Sequence, residues 1–528
     1  MSESPPPVEA APTKKQFLQV QAPLLSLMDT DPPAAIAGAR SLSGRHPHWQ
    51  RLRASVLCDA GNAAKDSAAV DEAIAIFEEL HAAAPEDPKI TYNLANAIAN
   101  RADLDGPKAP DWFLRTGAAR RRARALYGEA SSSSSGSADL RFASQAMTNL
   151  GNRLDAGYRW IEAFECYREA LDLFPENGVA SGSAAVVLAR VGASALLGNR
   201  RHLLDVAARL AHHAKTHGNV VAELAGTAGV ARFAKLASRR DDLAAVQLGP
   251  DATEYQRFVA EHRLSLSPVL EGLGGDPKRW DDARIESLTE SFGVGATVPP
   301  IFAMFNVMKA DYLVARALLF QGLQGLERVG PAADTGLYDD TLDFAVYGVT
   351  TSRLVLAQRS ALDVLDKIAV ALNEHLGGGM KAKDVSFHKL WRMSPRQPAW
   401  KPKLAEAIKA GNHALVALSE IAADLTDGSQ EDARPGLLHA EKQTRHAGTH
   451  RFIVMHDMAM GDSRPSDAIE HVRLSAFQKT VMRTMRLARA ALLHFLEVFG
   501  CAERARSRDG KLSGVMLVHP HHVIRGEE

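Results

Sequence analysis

Cysteine is scarce in this chain: three residues in 528, Cys58, Cys166 and Cys501, lie far apart with no CxxC pair. That argues against a disulfide framework or a thiolate metal site and fits a reducing compartment. No apolar run approaches the roughly 20 residues that a membrane span needs. The opening stretch, MSESPPPVEAAPTKK, lacks an apolar signal core and reads as a disordered lead-in over residues 1–40. Net charge is missing too, with 62 basic against 62 acidic residues, so any nucleic-acid surface must be a local patch. Aromatic residues make up only 6%. With Ala and Leu abundant, this composition favours helix over sheet. The expectation is a cytoplasmic, all-α protein of two or three domains.

What is present begins with internal similarity. The unit AMTNLGNRLDAGYRWIEAFECYREALDLFP (146–175) sets Leu150-Gly151 ahead of Ala163, Tyr167 and Ala170, with Pro175 closing it. Small residues at these offsets let two antiparallel helices approach, large ones fill the gaps, and proline ends the second helix, as in a TPR repeat. Gly61, Ala73, Phe77, Leu80 and Pro85 repeat the offsets upstream. A third copy pairs Leu94-Ala95 with Ala123, Tyr127 and Ala130, with loops expected at the polar insert before it and at the serine run 131–137. Helical pairs are expected over 41–237, leaving a concave face for a peptide, protein or nucleic acid. His212 and His213 read as surface residues of an ordinary amphipathic helix.

Between about 238 and 300 the helical period weakens and Gly and Pro cluster (LEGLGGDPKRW, GVGATVPP), as in a connector. Residues 301–510 then carry four main helical patterns, over 301–323, 339–376, 403–425 and 468–499, and read as a bundle followed by a tail at 511–528. In the last pattern Phe477, Val481, Met485, Ala488, Leu492 and Phe495 fall on one face. Lys479, Arg483 and Arg486 line another, with Arg473 and Arg489 nearby and no acidic residue between Glu470 and Glu497. Such a cationic stripe is a candidate phosphate track.

The stretches MFNVMKADYLVARALLFQ, LYDDTLDFAVYG, RSALDVLDKIAVALNEHL, VSFHKLW and TRHAGTHRFIV resemble the HEPN superfamily, in particular the bacterial subfamily with TPR-like repeats ahead of a C-terminal HEPN domain. The resemblance implies a helical bundle that dimerises and, in many members, a metal-independent endoribonuclease whose signature is Arg, four to six residues, then His. Arg445/His450 fits that signature, with polar His446 directly after the Arg; His446 stands where the subfamily usually has Asn, and Gly448 falls inside the pair. Similar spacings occur at Arg40/His46, Arg434/His439, Arg451/His456, Arg464/His471 and Arg489/His494, so spacing alone does not choose among them. A glycine inside a helix costs about 1 kcal/mol relative to alanine, so a strained turn is expected at Gly448.

Metal-free RNA cleavage needs a base for the ribose 2′-OH, an acid for the leaving 5′-oxygen and a cation for the phosphorane charge. Histidine suits proton transfer near neutrality, and arginine stays charged and matches phosphate oxygens. The assignment is His450 as acid/base and Arg445 as phosphate clamp, with His446 orienting His450 or the RNA. Lys442 and Arg451 add positive potential. Five residues apart, Arg445 and His450 diverge by about 140° on an ideal helix, so a homodimer would complete the pocket, as the resemblance also implies. No cofactor or metal is expected. Two rivals are weighed: an RNA- or protein-binding adaptor without cleavage, and a zinc site on the i, i+4 pair His446/His450 with His456 and Asp457 close in sequence. The C-terminal HPHH (519–522) reads as incidental. Asp363, Asp366 and Glu374 are carboxylates that face the site or, with Lys367, form an ordinary ion-paired surface.

Overall fold

The computed structural model describes residues 11–106, 110–136, 139–193, 200–237, 248–267, 280–285, 287–290, 298–327, 334–394, 397–426, 435–458, 466–508 and 514–517. The chain divides into two compact units, one of residues 1–187, 210–239 and 428–437 and one of residues 188–209, 240–427 and 438–528.

The first unit is built from helices α1 (Lys14–Thr30), α2 (Pro32–Ser41), α3 (Pro47–Ala64), α4 (Ser67–Ala83), α5 (Pro88–Leu104), α6 (Pro110–Arg115), α7 (Gly117–Gly136), α8 (Leu140–Ala156) and α9 (Trp160–Leu173). Beyond α9 follow α10 (Gly178–Ala193), α11 (Arg200–Thr216) and α12 (Gly218–Ala237). Local chemistry starts and stops these helices. Asp31, Asp66, Asp87 and Asp139 cap helix N-termini with their side chains, and α4 and α9 each end two residues before a proline. Ala73 and Phe77, Ala123 and Tyr127, and Ala163 and Tyr167 are all buried. At Gly151 a Cβ would come within 2.6 Å of the Tyr167 ring, so the approach of α8 to α9 requires glycine there.

Two expectations for this unit are corrected. The lead-in is helical from Lys14, because Thr13 and Gln16 form a reciprocal capping box that starts α1 and Asp31 caps α2. Residues 131–136 of the serine run belong to α7 rather than to a loop; Ser137 lies outside the described residues. Ser131 and Ser134 are buried there, and their hydroxyls donate to the carbonyls of Ala143 and Ala130. Small side chains that bond backbone carbonyls can occupy a crowded helix face despite modest helix propensity.

The second unit opens with α13 (Glu254–Glu261) and contains β1 (Ser287–Glu290), α14 (Pro300–Glu327), β2 (Ala345–Val346), α15 (Val349–His375), β3 (Arg392–Ser394), β4 (Gln397–Trp400), α16 (Pro402–Lys409) and α17 (Ala414–Asp424). It continues through α18 (His439–His450), β5 (Phe452–His456), β6 (Ile469–Arg473), α19 (Leu474–Arg508) and β7 (Gly514–Leu517). Helices α14, α15 and α19 pack together, and all six apolar positions expected on one face of α19 are buried. The helical pattern expected from 468 begins at Leu474, because Ile469–Arg473 is drawn into a strand parallel to β5, while β2 pairs with β5 from its other edge. The pattern expected from 339 begins at Val349, after the left-handed residues Leu342 and Phe344 and Gly348.

The connector is held by buried charge. Arg316 grips the Asp281 carboxylate with two nitrogens (2.9 and 2.8 Å) and donates to the Leu264 carbonyl, which also accepts from Tyr312. Burial alone would raise the Asp281 carboxyl and lower the Arg316 guanidinium. Their mutual hydrogen bonds and charge outweigh it, holding Asp281 below the usual carboxylate range and Arg316 above its usual value.

Candidate active site on a polar helix

Helix α18 is short and polar, and among its residues only Glu441 and Ala447 are buried. Glu441 pairs with Arg483 of α19, and Gln358 of α15 donates to the Glu441 carbonyl at 3.5 Å. The helix is therefore fastened by one buried carboxylate near its start and by close backbone approach near its end. A Cβ at Gly448 would lie 3.2 Å from Val355 Cγ1 and 3.3 Å from Ile453 Cδ1. The helix runs unbroken through Gly448, so the expected strained turn is absent: the glycine serves the packing of α18 on α15.

This attachment leaves the chemistry outward. His446 and His450 are exposed, with ring centroids 4.8 Å apart, one turn from each other as the i, i+4 spacing requires. Arg445 is partly exposed and donates through Nη2 to Asp363 (2.6 Å) and Asp366 (3.0 Å), three residues apart on one face of α15. Asp366 is itself positioned, its other oxygen accepting from the Phe387 backbone N–H at 2.9 Å. The two carboxylates thus face Arg445, while Lys367 pairs with Asp311 of α14. Lys442 is exposed, and Arg451 reaches Glu470 of β6 at 3.1 Å.

The stripe on α19 is unevenly exposed. Of the three residues singled out there, Lys479 and Arg483 are exposed and Arg486 is partly buried. Arg483 pairs with Glu441 through Nε while its side chain stays exposed, and the partly buried Arg486 donates to the His262 carbonyl at 3.4 Å. Arg489 is buried and donates to the carbonyls of Ser265 and Ser267 at 2.6 and 2.9 Å. The acid missing from the local sequence comes from another helix, and the connector supplies backbone acceptors.

The structure also sorts the Arg-to-His spacings. In Arg489/His494 both residues are buried, and His494 faces Glu497 at 3.0 Å. His46 caps α3, and His456 is buried in the sheet. Arg434 and Arg464 lie outside the described residues, as does the HPHH stretch. Arg445/His450 keeps both members accessible. Of the two alternatives open for Asp363 and Asp366, the structure has them facing Arg445; the role of Glu441 was missed by sequence reasoning. Its only signal was a lone acid at the start of a basic helix.

A helical-bundle domain with a polar helix bearing Arg and His is the class that this geometry defines. Residues 293–501 match the family model described as LA2681-like HEPN, so the chain carries a HEPN domain in its C-terminal part. The match takes in α14 through most of α19 and includes α18. A HEPN domain points to an RNase-like or nucleotide-related function. No curated protein matches the chain. No helix among the described residues is long and apolar enough to cross a membrane.

Proposed function

We propose that this protein is a metal-independent endoribonuclease of HEPN type, with Arg445, His446 and His450 as its working residues. The observation that carries the reading is the exposed Arg445/His446/His450 group on α18, inside the segment that matches the HEPN model. His450 moves protons, Arg445 neutralises phosphate charge and His446 orients His450 or the RNA. Lys442 and Arg451 add positive potential, and Lys479, Arg483 and Arg486 of α19 track phosphate, Arg483 and Arg486 being held by Glu441 and the His262 carbonyl. A homodimer through the C-terminal unit brings two copies of α18 together and provides separate acid and base, and the N-terminal helical repeats regulate or target the nuclease in stress or phage defence.

The ion pairs between Arg445 and the two aspartates favour a second reading, a HEPN adaptor that binds RNA or protein without cleaving. A guanidinium already neutralised by two carboxylates offers less to a phosphate, and as a nuclease this would be a resting state. RNA cleavage without added divalent ion, wild type against His450→Ala, with a solution mass measurement, separates the two. Cleavage lost in His450→Ala supports the nuclease; RNA binding with no cleavage in either protein supports the adaptor.

A further inference from the structure

A second group of ligating side chains lies at the opposite end of β5 from His450. One donor atom each from Asp343, His456 and His471 falls within 4.8 Å of the others. Strand pairing assembles it. His471 on β6 is the register partner of Val454, and Val454 and His456 are two apart on β5, so both imidazoles project from the same face of the sheet. Asp343 comes from the segment just before β2, whose Ala345 is the partner of His456 on β5's other edge. Leu342 and Phe344, on either side of Asp343, both adopt left-handed backbone (φ 59° and 60°), a costly conformation for side chains of that size. Strain held on both sides of one carboxylate is evidence that its placement matters.

The hydrogen bonding fixes which lone pairs meet. His456 is fully buried, and its Nδ1 lies 2.9 Å from the Asp343 backbone oxygen, an acceptor only. Nδ1 therefore carries the proton, and Nε2 presents a lone pair, 2.9 Å from His471 Nδ1. A ligating histidine that donates its other ring N–H to a backbone carbonyl is the arrangement that orients imidazole toward a metal. Without a cation, His471 Nδ1 must donate a proton into that lone pair. With one, both lone pairs converge on it. Two nitrogens on a tetrahedral zinc are about 3.3 Å apart for Zn–N bonds near 2.0–2.1 Å, a few tenths of an ångström more than the separation here. The Asp343 carboxylate would supply the anionic oxygen: its Oδ2 lies 4.0 Å from His456 Nδ1, and its Oδ1 accepts from Thr341 Oγ1 (2.5 Å) and the Ala345 N–H (3.3 Å).

We infer that Asp343, His456 and His471 form a binding site for a borderline divalent cation of the zinc type, with water in the remaining position. Two imidazoles and one carboxylate suit Zn2+ and its late first-row neighbours, whereas Mg2+ and Ca2+ take all-oxygen sites. The cation would tie the segment before β2 to the end of β5. It plays no part in the proposed cleavage: β5 alone separates this cluster from the end of α18 by about 13 Å.

The experiment is metal analysis of the purified full-length chain loaded with Zn2+ and gel-filtered, with Co2+ absorption as a second readout. About one equivalent of zinc and the intense visible bands of four-coordinate Co2+ are expected. Both should be lost, or the affinity weakened at least tenfold, in His471→Gln and Asp343→Asn, and kept in a His446→Ala/His450→Ala double variant. Circular dichroism confirms that each variant is folded. A wild type that retains no zinc overturns the inference. So does metal content that survives His471→Gln or disappears with the His446/His450 pair.

Discussion

Helices α18 and α19 both read as cationic in sequence, and the fold uses them in opposite ways. On α19, Arg483, Arg486 and Arg489 are turned to the protein's own acceptors: the buried Glu441 and the carbonyls of His262, Ser265 and Ser267. On α18, Lys442, His446 and His450 remain exposed, and Arg445 meets only partly exposed carboxylates. A run of positive charge states that acceptors are needed. Whether they are phosphates or the chain's own carbonyls depends on what the tertiary fold brings opposite.

The largest effect that would test this contrast is on catalysis. If α18 carries the acid/base group, His450→Ala lowers RNA cleavage by about 10²–10⁴-fold, the usual contribution of a positioned proton-transfer group. Melting temperature should stay close to wild type, because an exposed side chain carries little packing. A loss of cleavage matched by a loss of fold would instead move His450 to the structural side of the comparison.

Arg489 should behave in the reverse way. Arg489→Met keeps the apolar stem but leaves two buried carbonyls without their guanidinium donor. The expected cost is about 3 kcal/mol, or about 5 °C in melting temperature for a unit of this size. Cleavage by the folded fraction and affinity for RNA should not change. If salt-dependent RNA binding fell while stability held, Arg489 would belong to the phosphate track as well.

How much of this was legible in sequence divides along the same line. The buried face of α19 could be read because helical period is a local property: Phe477 to Phe495 repeat at three and four whatever lies opposite. The helical hairpins were legible through Gly61, Gly151 and the spaced alanines for the same reason. The partner of Arg483 was not, since Glu441 lies 42 residues away, and Asp363, 82 residues from Arg445, could be read only as facing the site or ion-paired elsewhere. The β5–β6 pairing was missed because five-residue strands flanked by helices carry little period of their own. Arg445/His450 was picked out by family resemblance rather than by spacing, and the structure adds that its members are accessible where those of Arg489/His494 are buried.

A smaller effect sharpens the role of Arg445. Replacing both Asp363 and Asp366 with Asn removes the negative charge that now neutralises it. Because these pairs are partly exposed, stability should change by under about 1 kcal/mol. RNA affinity at low salt should rise a few-fold, with a steeper salt dependence, as one more cation becomes available to phosphate. Unchanged affinity would show that the guanidinium does not meet RNA.

The smallest effect concerns Gly448, where two physical terms of opposite sign compete. Alanine in a helix interior is favoured over glycine by about 1 kcal/mol, which by itself would stabilise α18. The added methyl, however, would press on Val355 and Ile453 at 3.2 and 3.3 Å, closer than ordinary contact, and α18 would have to lift from α15. The balance expected for Gly448→Ala is a net loss of about 0.5 kcal/mol, reversed to a gain when Val355→Ala supplies the room, a non-additivity that a double-mutant cycle resolves. Because the lift would carry Arg445 and His450 together away from Asp363 and Asp366 of α15, cleavage should fall more than stability does. A single variant stabilised by the full propensity term would show that α18 does not need its close seat on α15. Gly448 would then be no more than a weak point in the helix that carries the site.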